Sequence, residues 1–359
     1  MTKGYLVLET GEKFTGDWLG PEIESEGEVV FNTSMTGYQA MLTDPSYAGQ
    51  ILTFSFPIIG NNGVNETGNE SEKVSLSGVI LNDLCDESSH YQSTATLGDV
   101  LKEKNVSGLV NVDTRSLVKA IRKHKSVKGK IVKVKDNIGE WKEADTLSLV
   151  KEVSVQKSET YGNGAYHVVL VDFGYKSSIL QALLKENCKV TIVPYHTTFA
   201  EIELLHPDGI LLSNGPGNPK ELEEFLPTVR QLTEKYPTLG ISLGHQLIAL
   251  AYGAKTKRLS VGHRGDNHPV KDIHSGKVSM TSQNHGYVVV EDSIDTEEFE
   301  VLYKNVNDQS VEGMKHIQLP VLSVQFHPEA HPGPTDTEYI YIDFIHQVIT
   351  SGGNKYVEA

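Results

Sequence analysis

Two cysteines in 359 residues, Cys85 and Cys188, are too few and too far apart to form a disulfide framework. Free thiols in a reducing cytoplasm are the expectation. No apolar run approaches the roughly 20 residues needed to span a bilayer. Met1-Thr2-Lys3-Gly4-Tyr5 also lacks the apolar core of a secretory signal, so no membrane association is expected. Positive charge is in short supply: 32 Lys and Arg face 47 Asp and Glu, for a net charge of −15. Such a balance excludes a general polyanion-binding surface, and no nucleic-acid partner is expected. The one basic cluster, Arg122 through Lys130, reads as a solvated helix end. The chain has no G-x-x-x-x-G-K-[ST] loop, hence no P-loop nucleotide site. Histidines crowd between His263 and His346, but without a cysteine among them or an H-E-x-x-H, so no metal is expected.

What is present divides into two halves. Residues 1–153 read as short strands and turns, with strands at Gly4–Glu9, Gly27–Asn32, Gly49–Phe56 and Ser77–Leu81. Helices are expected at Leu97–Lys104 and at Thr114–Lys123, the latter capped by Asp113 or Thr114. Composition alone makes this half a smaller mixed α/β domain without an evident purpose. Residues 154–165, polar, aperiodic and tipped by Gly162 and Gly164, read as a linker. From 166 to 359 strand and helix patterns alternate: Val168–Val171, Ser178–Glu186, Val190–Val193, Phe199–Leu205, Gly209–Leu212 and a long charged helix at Lys220–Tyr236. That alternation predicts an α/β domain with a mostly parallel, doubly wound sheet. Further strands are expected at Val278–Val290, Glu300–Tyr303 and Val321–Phe326, and a closing helix at Glu338–Ile349, while Gly262–Pro269 reads as a structured loop.

Ligands in such sheets bind at the carboxyl ends of the strands. Three stretches there carry chemistry. Thr238–Ala251 is a short apolar run, a Gly-flanked turn with Ser242 at its apex, and an apolar-periodic helix. Glycines on both sides permit a sharp turn that displays a nucleophile, and the helix N-terminus stabilises negative charge beside it. Ser213-Asn214-Gly215-Pro216-Gly217-Asn218-Pro219 follows another strand and offers backbone N–H groups unshielded by side chains. His327 and Glu329 end the last strong strand two residues apart, a spacing that suits a base and its orienting carboxylate. Asp172-Phe173-Gly174 resembles a kinase metal-binding triplet, but nothing else of that signature accompanies it. Gly240-Ile241-Ser242-Leu243-Gly244 also fits the G-x-S-x-G of a serine hydrolase; against it, such enzymes place their acid before their histidine.

Together these stretches resemble a class I, triad-type glutamine amidotransferase. Asn214-Gly215-Pro216-Gly217, Leu243-Gly244-His245-Gln246 and His327-Pro328-Glu329 carry that likeness. More narrowly, the chain is similar to the small subunit of carbamoyl-phosphate synthase. The narrower likeness rests on Gly262-His263-Arg264-Gly265, Asn267-His268-Pro269-Val270, Ser282-Gln283-Asn284-His285-Gly286-Tyr287 and Pro332-Gly333-Pro334 with Asp336. It extends to the first half through Phe31–Gln39, Thr43–Tyr47, Gly108–Val110 and Asp113–Arg115. The resemblance implies that residues 1–153 dock on a large subunit and that 166–359 form the amidotransferase domain. It implies hydrolysis of L-glutamine, with ammonia passed to a large chain that makes carbamoyl phosphate from bicarbonate. ATP and Mg are then expected on that large chain and no cofactor on this one, with small–large heterodimers building a higher oligomer. It places Ser242 as nucleophile, His327 as base and Glu329 as orienter. Leu243, Gly215 and Gly217 would stabilise the oxyanion, and Ser46, Gln246, Asn284, Gly286 and Tyr287 would hold glutamine.

One position departs from the family's pattern. Where these proteins carry cysteine, this chain has Ser242. A thiol with a reference pKa of about 8.5 is readily converted to thiolate; a hydroxyl is far harder to deprotonate. Glutamine is therefore expected to bind while hydrolysis is lost or strongly reduced. The alternatives are a catalytically silent subunit of an ammonia-dependent synthase and a serine hydrolase.

Overall fold

The structure is a computed structural model that describes residues 2–136, 139–142 and 145–352. The chain divides into two compact units, Met1–Asp145 and Thr146–Ala359. No helix among the described residues is long and apolar enough to cross a membrane.

The first unit is built on a closed barrel of seven short strands. They are β1 (Lys3–Leu8), β2 (Lys13–Leu19), β3 (Ser25–Asn32), β4 (Gln50–Phe54), β6 (Gly78–Ile80), β8 (Gly108–Val110) and β9 (Lys128–Val132), in the order β1-β2-β8-β6-β4-β3-β9. β9 closes the ring by pairing antiparallel with β1, Leu6 opposite Ile131. A small ribbon, β5 (Ile58–Ile59) with β7 (Asp83–Leu84), lies outside it. Helices α1 (Tyr38–Thr43) and α2 (Leu97–Glu103) lay Tyr38, Met41, Leu97 and Leu101 against Leu52, Val79 and Val110 of the barrel. Helix α3 (Thr114–His124) starts at Asp113, whose carboxylate accepts the Ser116 N–H at 2.9 Å, as an N-cap should.

The second unit carries a ten-stranded sheet. Its parallel part runs β12 (Cys188–Pro194), β11 (Tyr166–Asp172), β13 (Gly209–Leu212), β14 (Thr238–Ile241) and β19 (Val321–Val324). These strands are buried on both faces, and their side chains alternate between two cores. Val169, Val171, Ile210 and Leu212 face one core with α4 (Thr146–Val153), α6 (Phe199–Glu203), α7 (Leu226–Lys235) and α8 (Leu243–Ala251). Val168, Leu170, Leu211, Leu239 and Ile241 face the other with α5 (Ser177–Lys185) and α9 (Tyr339–Gly352). An antiparallel wing extends the sheet beyond β19: β18 (Val311–His316), β17 (Phe299–Asn305), β15 (Thr256–Asp272) and β16 (Val278–Val289).

Four expectations are corrected. The units divide after Asp145, ahead of residue 153, because α4 buries Val150 in the second unit's core. Residues 154–165 are not a free linker: Glu159–Tyr161 (β10) pairs with β12, and the Val155 N–H donates to the Asp172 carboxylate at 2.7 Å. The 220–236 helix is broken, with a 3-10 turn at Pro219–Phe225 and α7 only from Leu226, Pro227 falling in its first turn. Gly262–Pro269, read as a loop, lies inside the 17-residue strand β15, whose register shifts against β16 at two places and absorbs the irregular composition.

Candidate active site

Ser242 stands between β14 and α8 with φ 51° and ψ −101°. A non-glycine residue with positive φ is uncommon and costs energy, so the surroundings must enforce it. They do. The Ser242 N–H donates to Val324 O at 2.8 Å, and Ser242 O accepts the Gln246 N–H at 3.1 Å. Its glycine neighbours are there for space. A Cβ on Gly244 would lie 2.2 Å from Leu212 O, and one on Gly240 would lie 2.6 Å from Ile248 Cδ1. The helix can therefore press onto β13 and β14 only if both side chains are absent. Leu243 is the first residue of α8, so its N–H has no acceptor within the helix and faces outward with the helix dipole.

The glycine loop after β13 is joined to this turn. The Gly244 N–H donates to Ser213 O at 3.0 Å, and a Cβ on Gly215 would lie 2.8 Å from the Leu243 side chain. Gly217 has φ 91°, and α4 closes over it: Thr146 Oγ1 accepts the Asn218 N–H at 2.9 Å.

β14 and β19 run parallel with Ile241 beside Val324, so Ser242 and the 325–329 segment emerge together at the carboxyl edge. His327 is pinned by its N–H to Ser282 O at 2.9 Å, and its Nδ1 lies 2.8 Å from Glu329 Oε1. A carboxylate there accepts the Nδ1–H hydrogen bond and leaves Nε2 as the basic nitrogen. Nε2 is buried and has no hydrogen-bond partner among the described residues. His245, only three residues from Ser242, is the wrong histidine: complete burial brings its pKa down to about 3, and its Nδ1 is engaged with Ser323 Oγ at 2.8 Å.

The site also contains residues that no motif pointed to. Lys176, just before α5, is 2% exposed. Its Nζ donates to Glu329 Oε1 at 3.1 Å and to Ala330 O at 2.8 Å. Tyr341 on α9 donates its hydroxyl to Glu329 Oε2 at 3.2 Å. Burial by itself would raise the Glu329 pKa; the Lys176 ammonium, followed by His327, overrides it and holds the carboxyl at about 2. Gln325 Nε2 reaches Ser242 Oγ at 3.4 Å, and its Oε1 accepts from Gln246 Nε2 at 2.9 Å. Gln246 Nε2 also donates to Tyr287 O at 2.8 Å, tying α8 to the β16 segment that carries Asn284, Gly286 and Tyr287.

Thus Ser242, Leu243, Gln246, Gly215, Gly217, His327 and Glu329 gather at one sheet edge, with Tyr287 tied to it through Gln246. Ser46 belongs to the first unit, where it is buried in a 3-10 turn and its N–H donates to Asp44 Oδ1 at 2.8 Å. Asp172 caps the end of its strand by accepting the Gly174 and Tyr175 N–H groups, both at 2.8 Å. Among the described residues, grouping compatible with a metal ion occurs at His263, His285 and Glu312.

The family model described as glutamine amidotransferase class-I matches residues 169–347. The model of the carbamoyl-phosphate synthase small chain, CPSase domain, matches residues 6–131. The carbamoyl phosphate synthase arginine-specific small chain of Halalkalibacterium halodurans is 46% identical over 355 residues, covering 98% of this chain and 99% of that one. That of Bacillus subtilis is 48% identical over 347 residues, 97% of each chain. The carbamoyl phosphate synthase small chain of Listeria monocytogenes is 47% identical over 350 residues, 96% of each.

Proposed function

The chain belongs to the carbamoyl-phosphate synthase small-chain family, and on that premise we propose that its second unit is a glutamine-hydrolysing site in which Ser242 limits turnover. The observation that carries this reading is the strained turn at Ser242 beside a histidine whose Nε2 has no hydrogen-bond partner among the described residues. In the reaction, Ser242 Oγ attacks the carboxamide carbon of glutamine while His327 Nε2 takes the hydroxyl proton. Glu329, ionised by Lys176, stabilises the imidazolium. The developing oxyanion is met by the Leu243 N–H and the N–H groups of the Gly215–Gly217 loop. Collapse of the tetrahedral intermediate breaks the C–N bond, and His327 returns the proton to the departing ammonia. Water, deprotonated by His327, then releases glutamate and restores Ser242.

Asn284, Gly286, Tyr287 and Gln246 hold the amino-acid end of glutamine in this reading. Ammonia passes to a large partner chain that supplies the ATP and Mg chemistry and makes carbamoyl phosphate from bicarbonate for arginine or pyrimidine synthesis. The first unit docks on that partner, the pair assembles further, and the complex works in the cytoplasm. A thiolate is the nucleophile this geometry suits. With a hydroxyl in its place, glutamine binds and turns over slowly at best. The serine-esterase reading has against it an acid that follows its histidine by two residues.

Co-expression with a large chain tests the proposal. Carbamoyl phosphate should form readily from added ammonia and poorly from glutamine, while calorimetry detects glutamine binding. Equal rates from the two nitrogen sources would refute the limit assigned to Ser242. Absence of glutamine binding would make this chain a silent, purely structural subunit.

A further inference from the structure

Within the antiparallel wing, His263 on β15, His285 on β16 and Glu312 on β18 bring one ligand atom each to within 4.8 Å of the others. Their hydrogen bonds can be counted to completion. Thr281 gives its hydroxyl proton to His268 O at 2.8 Å, so Thr281 Oγ1 serves as acceptor for Gln283 Nε2 at 3.1 Å. That fixes the amide orientation of Gln283 and turns its Oε1 toward His263 Nδ1 at 3.0 Å and His285 Nε2 at 2.8 Å. The other nitrogen of each ring also faces an acceptor. His285 Nδ1 lies 2.9 Å from Tyr287 O, and His263 Nε2 lies 3.0 Å from Asp308 Oδ2. A neutral imidazole carries one N–H and cannot donate from both nitrogens. With both rings neutral, two ring lone pairs point at the lone pairs of Gln283 Oε1. Burial disfavours charge on His263, but Asp308 and Glu312 override it and raise its pKa to about 9. A doubly protonated His263 still leaves His285 with two acceptors and one proton. Glu312 adds to the excess. It is fully buried; Asn305 Nδ2 serves Oε1 at 3.0 Å, and Oε2 has no partner among the described residues.

We propose that this cluster is a site for a first-row divalent metal ion of the zinc class, held by His263 Nδ1, His285 Nε2, Gln283 Oε1 and the Glu312 carboxylate. Ligands each about 2.1 Å from an ion lie about 3.0 Å apart at right angles and about 3.4 Å apart at the tetrahedral angle. The spacings of 3.0 Å from His263 to Gln283 and 3.5 Å between His263 Nδ1 and Glu312 Oε1 are close to such edges. The 2.8 Å from His285 to Gln283 is slightly short of them. Ligand atoms spread over up to 4.8 Å would draw in by a few tenths of an ångström around an ion. Asp308 and the Tyr287 carbonyl supply the outer contacts that metal-binding histidines characteristically make through their second nitrogen. Two charges on the ion are balanced by Glu312 and Asp308. Two imidazole nitrogens favour zinc, cobalt or nickel over magnesium or calcium. The ion would clip β15, β16 and β18 together, and this holds whatever the chemistry at Ser242.

The test uses the full chain. After exhaustive chelation and dialysis, Zn2+ titration by calorimetry and elemental analysis should show one tightly bound ion, and Co2+ should give visible d–d absorption. Glu312→Gln should abolish that stoichiometry. Asp308→Asn, whose side chain is 40% exposed, keeps the fold if the first variant does not. It should weaken Zn2+ binding about 10–100-fold. No bound ion after titration would overturn the proposal and leave a protonated histidine network. Binding with affinity and Co2+ spectrum unchanged in both variants would also overturn it, because the ion would then lie elsewhere.

Discussion

Replacing Lys176 by methionine isolates the electrostatics of the triad. The substitution keeps the length of the side chain and removes an ammonium that touches Glu329 Oε1 at 3.1 Å in a site where both side chains are at most 3% exposed. Glu329 titrates at about 2 in the folded protein against an ordinary 4.5, a difference of 2.5 units. That net difference, in which burial opposes Lys176, His327 and the backbone and Lys176 is the largest favourable contributor, corresponds to about 3 kcal/mol of folding free energy. A folded pKa below the unfolded one stabilises above pH 4.5, and the contribution is lost as pH falls from there through 2. Independent experience with buried pairs that lose one partner gives the same size, about 3–5 kcal/mol. Lys176→Met should therefore destabilise the second unit by about 3 kcal/mol at pH 7, with the deficit narrowing once the pH drops below 4.5. Both tryptophans, Trp18 and Trp141, lie in the first unit, so their fluorescence is the wrong probe. Hydrogen exchange of peptides from β19 and α9 under a urea series reads the right unit. An unfolding free energy within about 0.5 kcal/mol of the parent at pH 7 would refute the ion-pair argument.

Other outcomes follow from the same geometry. Gly244→Ala drives a Cβ into the Leu212 carbonyl at 2.2 Å and should cost at least about 1–3 kcal/mol, read as a lowered Tm. In a Ser242→Cys background, Glu329→Gln should reduce kcat for glutamine by up to about 10⁴-fold with a smaller change in KM, since the amide no longer stabilises the imidazolium. His245→Asn in that background should leave the pH profile of glutamine hydrolysis in place, because His245 is neutral throughout the working range; a displaced profile would make it a participant.

The features legible in the sequence were local ones. The parallel strands announce themselves as short apolar runs because both their faces are covered, and the turn at Ser242 is marked by glycines that packing demands. His327 and Glu329 are two residues apart and need no tertiary knowledge to be paired. The barrel escaped because its closure depends on distant partners: Asp17 pairs with Val110, and Leu6 with Ile131. Lys176 meets Glu329 across 153 residues, with no spacing rule to announce it. The wing strand β15 hid behind Gly262, Gly265 and Pro269, residues that read as loop but sit at or beside its register shifts. His263, His285 and Glu312 come from three strands, so no linear ligand motif exists to be found.

Residue 242 decides whether glutamine or only ammonia can serve as the nitrogen source. Ammonia release from glutamine, measured with a large partner chain for the parent protein and for Ser242→Cys, tests it most directly. His327, Glu329 and the Gly215–Gly217 loop lie at the same sheet edge as residue 242, so the cysteine variant should exceed the parent by at least about 10³-fold. Equal, substantial rates would show that Ser242 does not limit the site, and no turnover from either form would show that the gathered residues are not a glutaminase.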